Sequence, residues 1–200
     1  MAKKIILALT IVVIIVAVFA FILTQGETVN VYIDGENVSV ETNSPLDNNN
    51  QLSEEICYYT LDVMNDTTSN ITTLREGIEE ICKNHGMENP KIRIDSSIGE
   101  DQIPVLVYVD GTSMVPTLQD GQTVLLNKSK DVHVGDIVVA ESDEYGGIIK
   151  RVGKVEGDSI YLESDNKEVR YETHGGVLYE VKGITTWVDI SDINGVVIEY

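Results

Sequence analysis

The chain has 200 residues, 42% of them hydrophobic, which is enough for one domain with a buried core. It carries 33 acidic residues against 14 Lys and Arg, a net charge of −19, and so acidic a surface disfavours binding to nucleic acid or to anionic lipid headgroups. The three histidines are scattered and the two cysteines do not form a CxxC, so the spacing of metal ligands is absent and we expect no metal or other cofactor.

The first feature along the chain is an apolar segment at residues 5–24, "IILALTIVVIIVAVFAFILT". Twenty uncharged residues are long enough, as a helix, to cross the hydrocarbon layer, so residues 1–24 are predicted to form a cytoplasmic tip and a transmembrane helix. Lys3 and Lys4 precede the segment and no Lys or Arg follows until Arg75, which places the N-terminus in the cytoplasm. We therefore expect a single-pass protein of the cell membrane with its remaining residues on the exterior face.

The alternative is a cleaved secretory signal peptide, for which "VFA" at residues 18–20 offers a small-residue cleavage site. Both alternatives leave the rest of the chain outside the membrane. That part holds all 33 acids and 12 of the Lys and Arg, the other two being Lys3 and Lys4, so its net charge is 12 − 33 = −21.

Residues 25–52 are predicted to be an exterior linker, because "ETNSPLDNNNQL" at 41–52 is rich in Asn, Ser, Pro and Asp and has no periodicity. A helical hairpin is predicted at 53–86. Its first helix has Ser53 as N-cap, and its second has a capping box of Thr73 and Glu76.

The two cysteines fall one in each predicted helix, Cys57 near the start of the first and Cys82 near the end of the second. Antiparallel packing would bring these ends together, and an exterior compartment permits disulfides. A bond between them would clamp a hairpin that has little core of its own. The sequence leaves open whether it forms.

From about residue 102 the pattern changes to short runs of Val, Ile, Leu and Tyr between glycine turns, such as "IPVLVYV", "DIVVA" and "GIIKRVGKV". We predict a β-rich domain of six to eight strands over residues 102–200. The fold class is therefore mainly β, with an N-terminal transmembrane helix and a small helical hairpin.

One serine in this region lies on a loop with restricted geometry, in "VDGTSMVPTLQ" at residues 109–119. Gly111 permits an unusual backbone conformation and Pro116 fixes the exit from the loop, so Ser113 is held on a stiff turn. A serine in a stiff loop is either part of an ordinary turn or a nucleophile, and a nucleophile needs a base.

Lys150, in "GIIKRVGKVEGD", is the candidate base. Side chains alternate along a strand, so Lys150 shares its face with Ile148 and Val152. Burial among apolar neighbours lowers a lysine pKa and yields a neutral amine that can accept a hydroxyl proton. The alternative is a lysine that reaches solvent or forms a salt bridge.

Three segments together resemble the membrane-anchored type I signal peptidases and their serine/lysine endopeptidase relatives: "GTSMVPTL" at 111–118, "GDIVVA" at 135–140 and "IIKRVGKVEGD" at 148–158. The resemblance implies a β-rich fold in which Ser113 is the nucleophile, its backbone amide helps to bind the oxyanion, and Lys150 is the general base. Asp165 is the candidate for a third, supporting residue. The implied substrates are secretory preproteins, whose signal peptides are cut after small residues at the outer membrane face, beside membrane lipid.

Two other functions remain open. The self-cleaving LexA-like repressors of the DNA-damage response also pair serine with lysine, but they cut at an Ala-Gly or Cys-Gly bond upstream of the serine. This chain has no Ala between Ala20 and Ala140, and neither Cys57 nor Cys82 precedes a Gly. The other alternative is a membrane-tethered acidic module that binds or displays a partner and catalyses nothing.

Overall fold

The structure, a computed structural model, describes residues 26–44 and 50–200. The predicted transmembrane segment at 5–24 lies outside the described residues. Neither α-helix within them combines the length and the apolar character that crossing a bilayer requires.

The N-terminal part of the described chain is a three-stranded sheet covered by two helices. The strands are β1 (Thr28–Ile33), β2 (Val38–Asn43) and β3 (Lys91–Ser96), in the order β2-β1-β3, and the helices are α1 (Gln51–Asn65) and α2 (Ile71–Asn84). β1 is antiparallel to β2 and parallel to β3, and a parallel pair needs a long crossover, which the two helices supply.

The core of this unit follows from two periodicities. Alternate residues of β1, namely Val29, Val31 and Ile33, are almost fully buried. They belong to one apolar cluster with Leu52 and Ile56 of α1 and with residues of α2 at helical spacing. The helical hairpin therefore packs on a sheet of its own.

The predicted linker at 25–52 is wrong where this segment forms strands and the start of a helix. β1 and β2 lie within it, β2 extends to Asn43, and α1 begins at Gln51. The alternation in "TVNVYI" indicates β1, but the abundance of Asn and Ser after residue 40 obscured the end of β2.

The predicted helix caps are also wrong. α1 begins before Ser53, and the residue preceding it, Asn50, makes no side-chain cap hydrogen bond. α2 begins at Ile71, where Asn70 Oδ1 accepts hydrogen bonds from the backbone amides of Thr72 at 2.8 Å and Thr73 at 3.2 Å. The capping-box pattern predicts a start three residues too late, because Asn70 is as good a cap as Thr73 and precedes it in the chain.

The two cysteines are free. Cys57 Sγ donates to Val38 O at 3.6 Å, and Cys82 is fully buried in the apolar cluster. Contact with the three-stranded sheet gives the hairpin the core for which a disulfide would otherwise compensate.

The C-terminal part is mainly β, as predicted. Its strands are β4 (Pro104–Tyr108), β5 (Thr123–Asn127), β6 (Ile137–Ser142), β7 (Gly146–Glu156), β8 (Ser159–Glu163), β9 (Arg170–His174), β10 (Val177–Val181), β11 (Thr185–Asp189) and β12 (Ile193–Glu199). Seven of them form an antiparallel sheet in the order β11-β8-β7-β6-β12-β5-β4, and β9 and β10 form a separate two-stranded hairpin. Polar runs, "RYETH" in β9 and "TTWVD" in β11, conceal two of these nine strands in the sequence.

The two parts are in direct contact. Lys128, which follows β5, donates from Nζ to the backbone carbonyl of Asp66 at the end of α1. Leu106 of β4 donates its backbone N–H to Gly35 O at 3.3 Å, and Ile103 is buried in the apolar cluster of the N-terminal unit. The edge strand β4 is therefore held against the N-terminal unit.

The α2 cap provides a test of the first turn of the hairpin. Asn70→Ala removes the acceptor of two backbone amides and is expected to lower the free energy of unfolding by about 1 kcal/mol. Thr73→Ala, at the position expected from the sequence, should cost clearly less. Urea unfolding of the two variants measures the difference, and equal losses would contradict the assignment of Asn70 as the cap.

Candidate active site

Ser113 lies on a loop between β4 and β5 whose side chains anchor it to the sheet. Met114 and Leu118 are fully buried in one apolar cluster, and the backbone N–H of Leu118 donates to Met114 O at 2.9 Å. Gly111 has φ +88, the left-handed region that favours glycine, and its N–H donates to Asp120 Oδ1 at 2.8 Å. The methionine after the serine is thus the anchor of the loop, which keeps the half-buried Ser113 in place.

Lys150 lies on β7, where its backbone is paired with Val138 of β6. Its Nζ is 2.9 Å from Ser113 Oγ and also donates to the backbone carbonyl of Ile149 at 2.9 Å. The residue is only 3% exposed, and Ile148 and Val152 on its own face are buried. The structure therefore brings the predicted serine and lysine into hydrogen-bonding contact.

Burial lowers the pKa of Lys150 below its ordinary value of 10.5. Within the described part of the chain, desolvation is the only cause of this shift, and no carboxylate offsets it. Burial without a counter-charge disfavours the ammonium, so it shifts the equilibrium toward the neutral amine. A neutral amine has a lone pair with which it can accept the hydroxyl proton of Ser113.

Asp165, the predicted supporting residue, contacts other side chains than the lysine. Its carboxylate accepts two hydrogen bonds from Arg151, from Nε at 2.7 Å and from a terminal nitrogen at 2.6 Å, and a third from Thr117 Oγ1 at 2.5 Å. The hydrogen bonds from Arg151 are the largest cause that lowers the pKa of Asp165. Asp165 therefore joins the serine loop to β7. It supports the Ser113–Lys150 pair indirectly, through Thr117 and Arg151.

Asn166 is a residue of the site that the sequence did not single out. Its backbone N–H donates to Ser113 O at 2.9 Å, and its Nδ2 donates to Thr112 O at 2.9 Å. Asp165 and Asn166 together hold the serine loop on both sides of the nucleophile. The signal available in the sequence was only the position of Asn166 next to Asp165.

A cleft of about 230 Å³ opens beside Ser113. Its walls include Asn166, Glu168, Lys182 and Gly183. Gly183 packs so closely that an added Cβ would lie 2.5 Å from the carbonyl oxygen of Asn166. The segment before β11 thus forms a tight wall of the cleft.

This arrangement is that of a serine–lysine dyad: a hydroxyl in contact with a buried amine, on a loop fixed by the surrounding fold. The sequence model of the Peptidase S24-like family matches residues 72–177, which is 106 of the 200 residues and includes Ser113, Lys150 and Asp165. The chain therefore belongs to the Peptidase S24-like family, and the resemblance to serine/lysine peptidases is confirmed.

Individual relatives fall into two groups. Signal peptidase I of Streptococcus pneumoniae is 45% identical over 60 residues, which are 30% of this chain and 29% of that protein. The LexA repressors of Aliivibrio salmonicida and Pelagibacter ubique are each 32% identical over 77 residues, which are 38% of this chain and 36% and 34% of those proteins. The matched part of the chain thus covers about a third of each of these relatives.

Asp165→Asn tests the link between the serine loop and β7. It weakens the bidentate pair with Arg151 and should lower the free energy of unfolding by about 1–3 kcal/mol at pH 7. The folded pKa of Asp165 lies below 3.8, so the carboxylate's contribution is complete above that pH and is lost as the pH falls through the folded pKa.

The stability difference between wild type and Asp165→Asn should therefore shrink under acid, as urea unfolding across this range would measure. Glu163→Gln is the matched control, because its partner Lys167 is exposed and such pairs contribute little. A difference that persists below the folded pKa would contradict the ionic role of Asp165.

Proposed function

We propose that this protein is a membrane-anchored serine endopeptidase in which Ser113 is the nucleophile and Lys150 the general base, and that it removes signal peptides from exported preproteins. The observation that carries the proposal is the 2.9 Å distance from Lys150 Nζ to Ser113 Oγ, with the lysine 3% exposed. A base must lie within hydrogen-bond reach of the proton that it accepts and must have a pKa low enough to be free of its own proton.

The reaction begins with the neutral amine of Lys150 accepting the proton of Ser113 Oγ as this oxygen attacks the scissile carbonyl carbon. The carbonyl oxygen takes up the displaced electron pair, and the backbone amide of Ser113 donates to it, as the resemblance implies. The ammonium of Lys150 then gives its proton to the leaving amine, which completes the acyl-enzyme. A water molecule, deprotonated by the same amine, hydrolyses the ester and restores Ser113.

The substrate and location rest on two features of the sequence. The apolar segment at 5–24, with Lys3 and Lys4 before it, would tether the peptidase domain at the exterior membrane face. The 45% identity with Signal peptidase I falls on a short segment and favours preproteins as substrates. Their signal peptides would be presented at the lipid surface, close to Ser113.

Self-cleavage is the main competing function, since the LexA repressors match over a similar length. The chain contains no Ala-Gly bond and no Cys-Gly bond upstream of Ser113. This favours a separate substrate. Burying a lysine amine costs the free energy of its hydration. A module without catalysis would gain nothing from a lysine buried against a serine that offsets this cost.

Ser113→Ala and Lys150→Met should each reduce cleavage of a secretory precursor by the detergent-solubilised protein by at least about a thousandfold. Ser113→Ala removes the attacking oxygen, whereas Lys150→Met keeps the buried apolar stem and removes the base. Cleavage is followed by gel electrophoresis and mass spectrometry of the products.

Lys154→Met is the matched control, because Lys154 lies on the same strand but is exposed and stacks over the ring of Tyr161. It should retain wild-type activity. Normal processing by both Ser113→Ala and Lys150→Met would refute the proposed dyad.

The pH dependence of kcat/KM tests the protonation state of the base. Only the deprotonated amine accepts the serine proton, so activity should rise with pH through the lowered pKa of Lys150 and level off before 10.5. Steady-state assays on a peptide substrate give the profile, and Lys154→Met should leave it unchanged. Activity that falls as the pH rises through this range would contradict a neutral-lysine base.

A further inference from the structure

A second cavity, of about 220 Å³, lies where the helical hairpin meets the seven-stranded sheet. We call it the junction groove. Its lining includes three valines, Val105 and Val107 of β4 and Val139 of β6. Met64 at the end of α1, Lys128 and Asn194 also line it.

The junction groove lies beside β4, the strand that precedes the loop of Ser113. Val107 and Val139 line the groove and also pack against the apolar cluster that contains Met114, the residue after the nucleophile. β4 ends at Tyr108, and the chain then leads through Gly111 directly to Ser113. An extended segment bound along β4 could therefore reach both the groove and the nucleophile.

Two buried polar groups of the groove have hydrogen-bonding capacity that no described residue uses. Asn194 Oδ1 is buried and has no hydrogen-bond partner among the described residues. Lys128 is 6% exposed, and the one hydrogen bond that its Nζ makes within the described part of the chain goes to the backbone carbonyl of Asp66. An ammonium has three protons to donate, so Lys128 can still donate to a ligand.

These groups match a peptide backbone. A backbone N–H can donate to Asn194 Oδ1 and a backbone C=O can accept from Lys128 Nζ, while apolar side chains face the valines. A lipid chain would satisfy the valines but would offer no donor to Asn194. Buried polar groups left without partners reject ligands that cannot complete them, which makes the groove selective.

We propose that the junction groove binds the extended, apolar segment that lies upstream of the scissile bond in the substrate. This inference rests on the proposed peptidase function and assigns the helical hairpin a role in it. Lys128 and Asn194 of the C-terminal part would bind the segment, and the end of α1, with Met64, would add the contribution of the N-terminal unit.

The test measures binding separately from cleavage. The full chain carrying Ser113→Ala is titrated, by fluorescence anisotropy, into two fluorescein-labelled peptides. The short peptide spans only small residues around the cleavage site. The long peptide adds upstream roughly eight residues of alternating valine and serine, about 26 Å when extended. The long peptide is expected to bind at least about tenfold more tightly.

Lys128→Met and Asn194→Leu should each abolish most of this preference for the long peptide. Thr67→Trp blocks the groove by bulk from an exposed turn that lines it, without removing a buried contact, so it keeps the test decisive if Lys128→Met unfolds. Lys130→Met is the matched control, because Lys130 Nζ donates instead to Ser191 O and the residue does not line the groove. It should keep the preference.

Equal binding of the long and short peptides, or an unchanged preference in Asn194→Leu and Thr67→Trp, would overturn the inference. Cleavage of the two peptides by the chain with Ser113 intact is measured in parallel. Absence of cleavage would contradict the proposed function, while the anisotropy of the Ser113→Ala chain still decides whether the groove binds peptide.

Discussion

A lysine amine withdrawn from water, with a serine hydroxyl as its neighbour, is the interaction on which the site depends. A chain with a net charge of −19 would ordinarily favour protonated lysines. Exposed charges more than about 8–10 Å away are largely screened at physiological salt, whereas burial can lower a lysine pKa by several units. At Lys150 desolvation is the cause that lowers the pKa, and Asp165 is instead paired with the neighbouring Arg151.

The fold maintains this contact by joining segments that are distant in the sequence. Met114 and Leu118 anchor the serine loop by packing into an apolar cluster. Asp165 accepts hydrogen bonds from Thr117 of this loop and from Arg151 of β7. Asn166 donates hydrogen bonds to the backbone carbonyls of Thr112 and Ser113. A hydroxyl held in advance against the amine has little conformational freedom left to lose when a substrate arrives. The relative position of Ser113 Oγ and Lys150 Nζ is thus set by contacts that do not involve these two atoms.

The sequence was sufficient to predict a mainly β domain and a contact between Ser113 and Lys150, and physical reasons explain what it missed. Alternation along β7 predicts that Lys150 shares a face with buried aliphatic residues, and the constrained loop marks Ser113. The roles of Asn166 and Lys128 depend on backbone carbonyls brought near by tertiary folding, at Thr112 and Asp66, and no local pattern records such contacts. Local pattern also misled where Asn-rich sequence concealed the end of β2, and where the capping-box pattern of Thr73 and Glu76 displaced the predicted cap of α2 from Asn70.

The ionisation of Lys150 itself is the most direct test of this account. Titration of the lysine side chains of the full chain by NMR, with Lys150→Met identifying the resonance, would give the pKa of Lys150. The account predicts that Lys150 titrates below 10.5. A Lys150 that titrates at or above 10.5 would be an ordinary ammonium, and the proposed base would not exist.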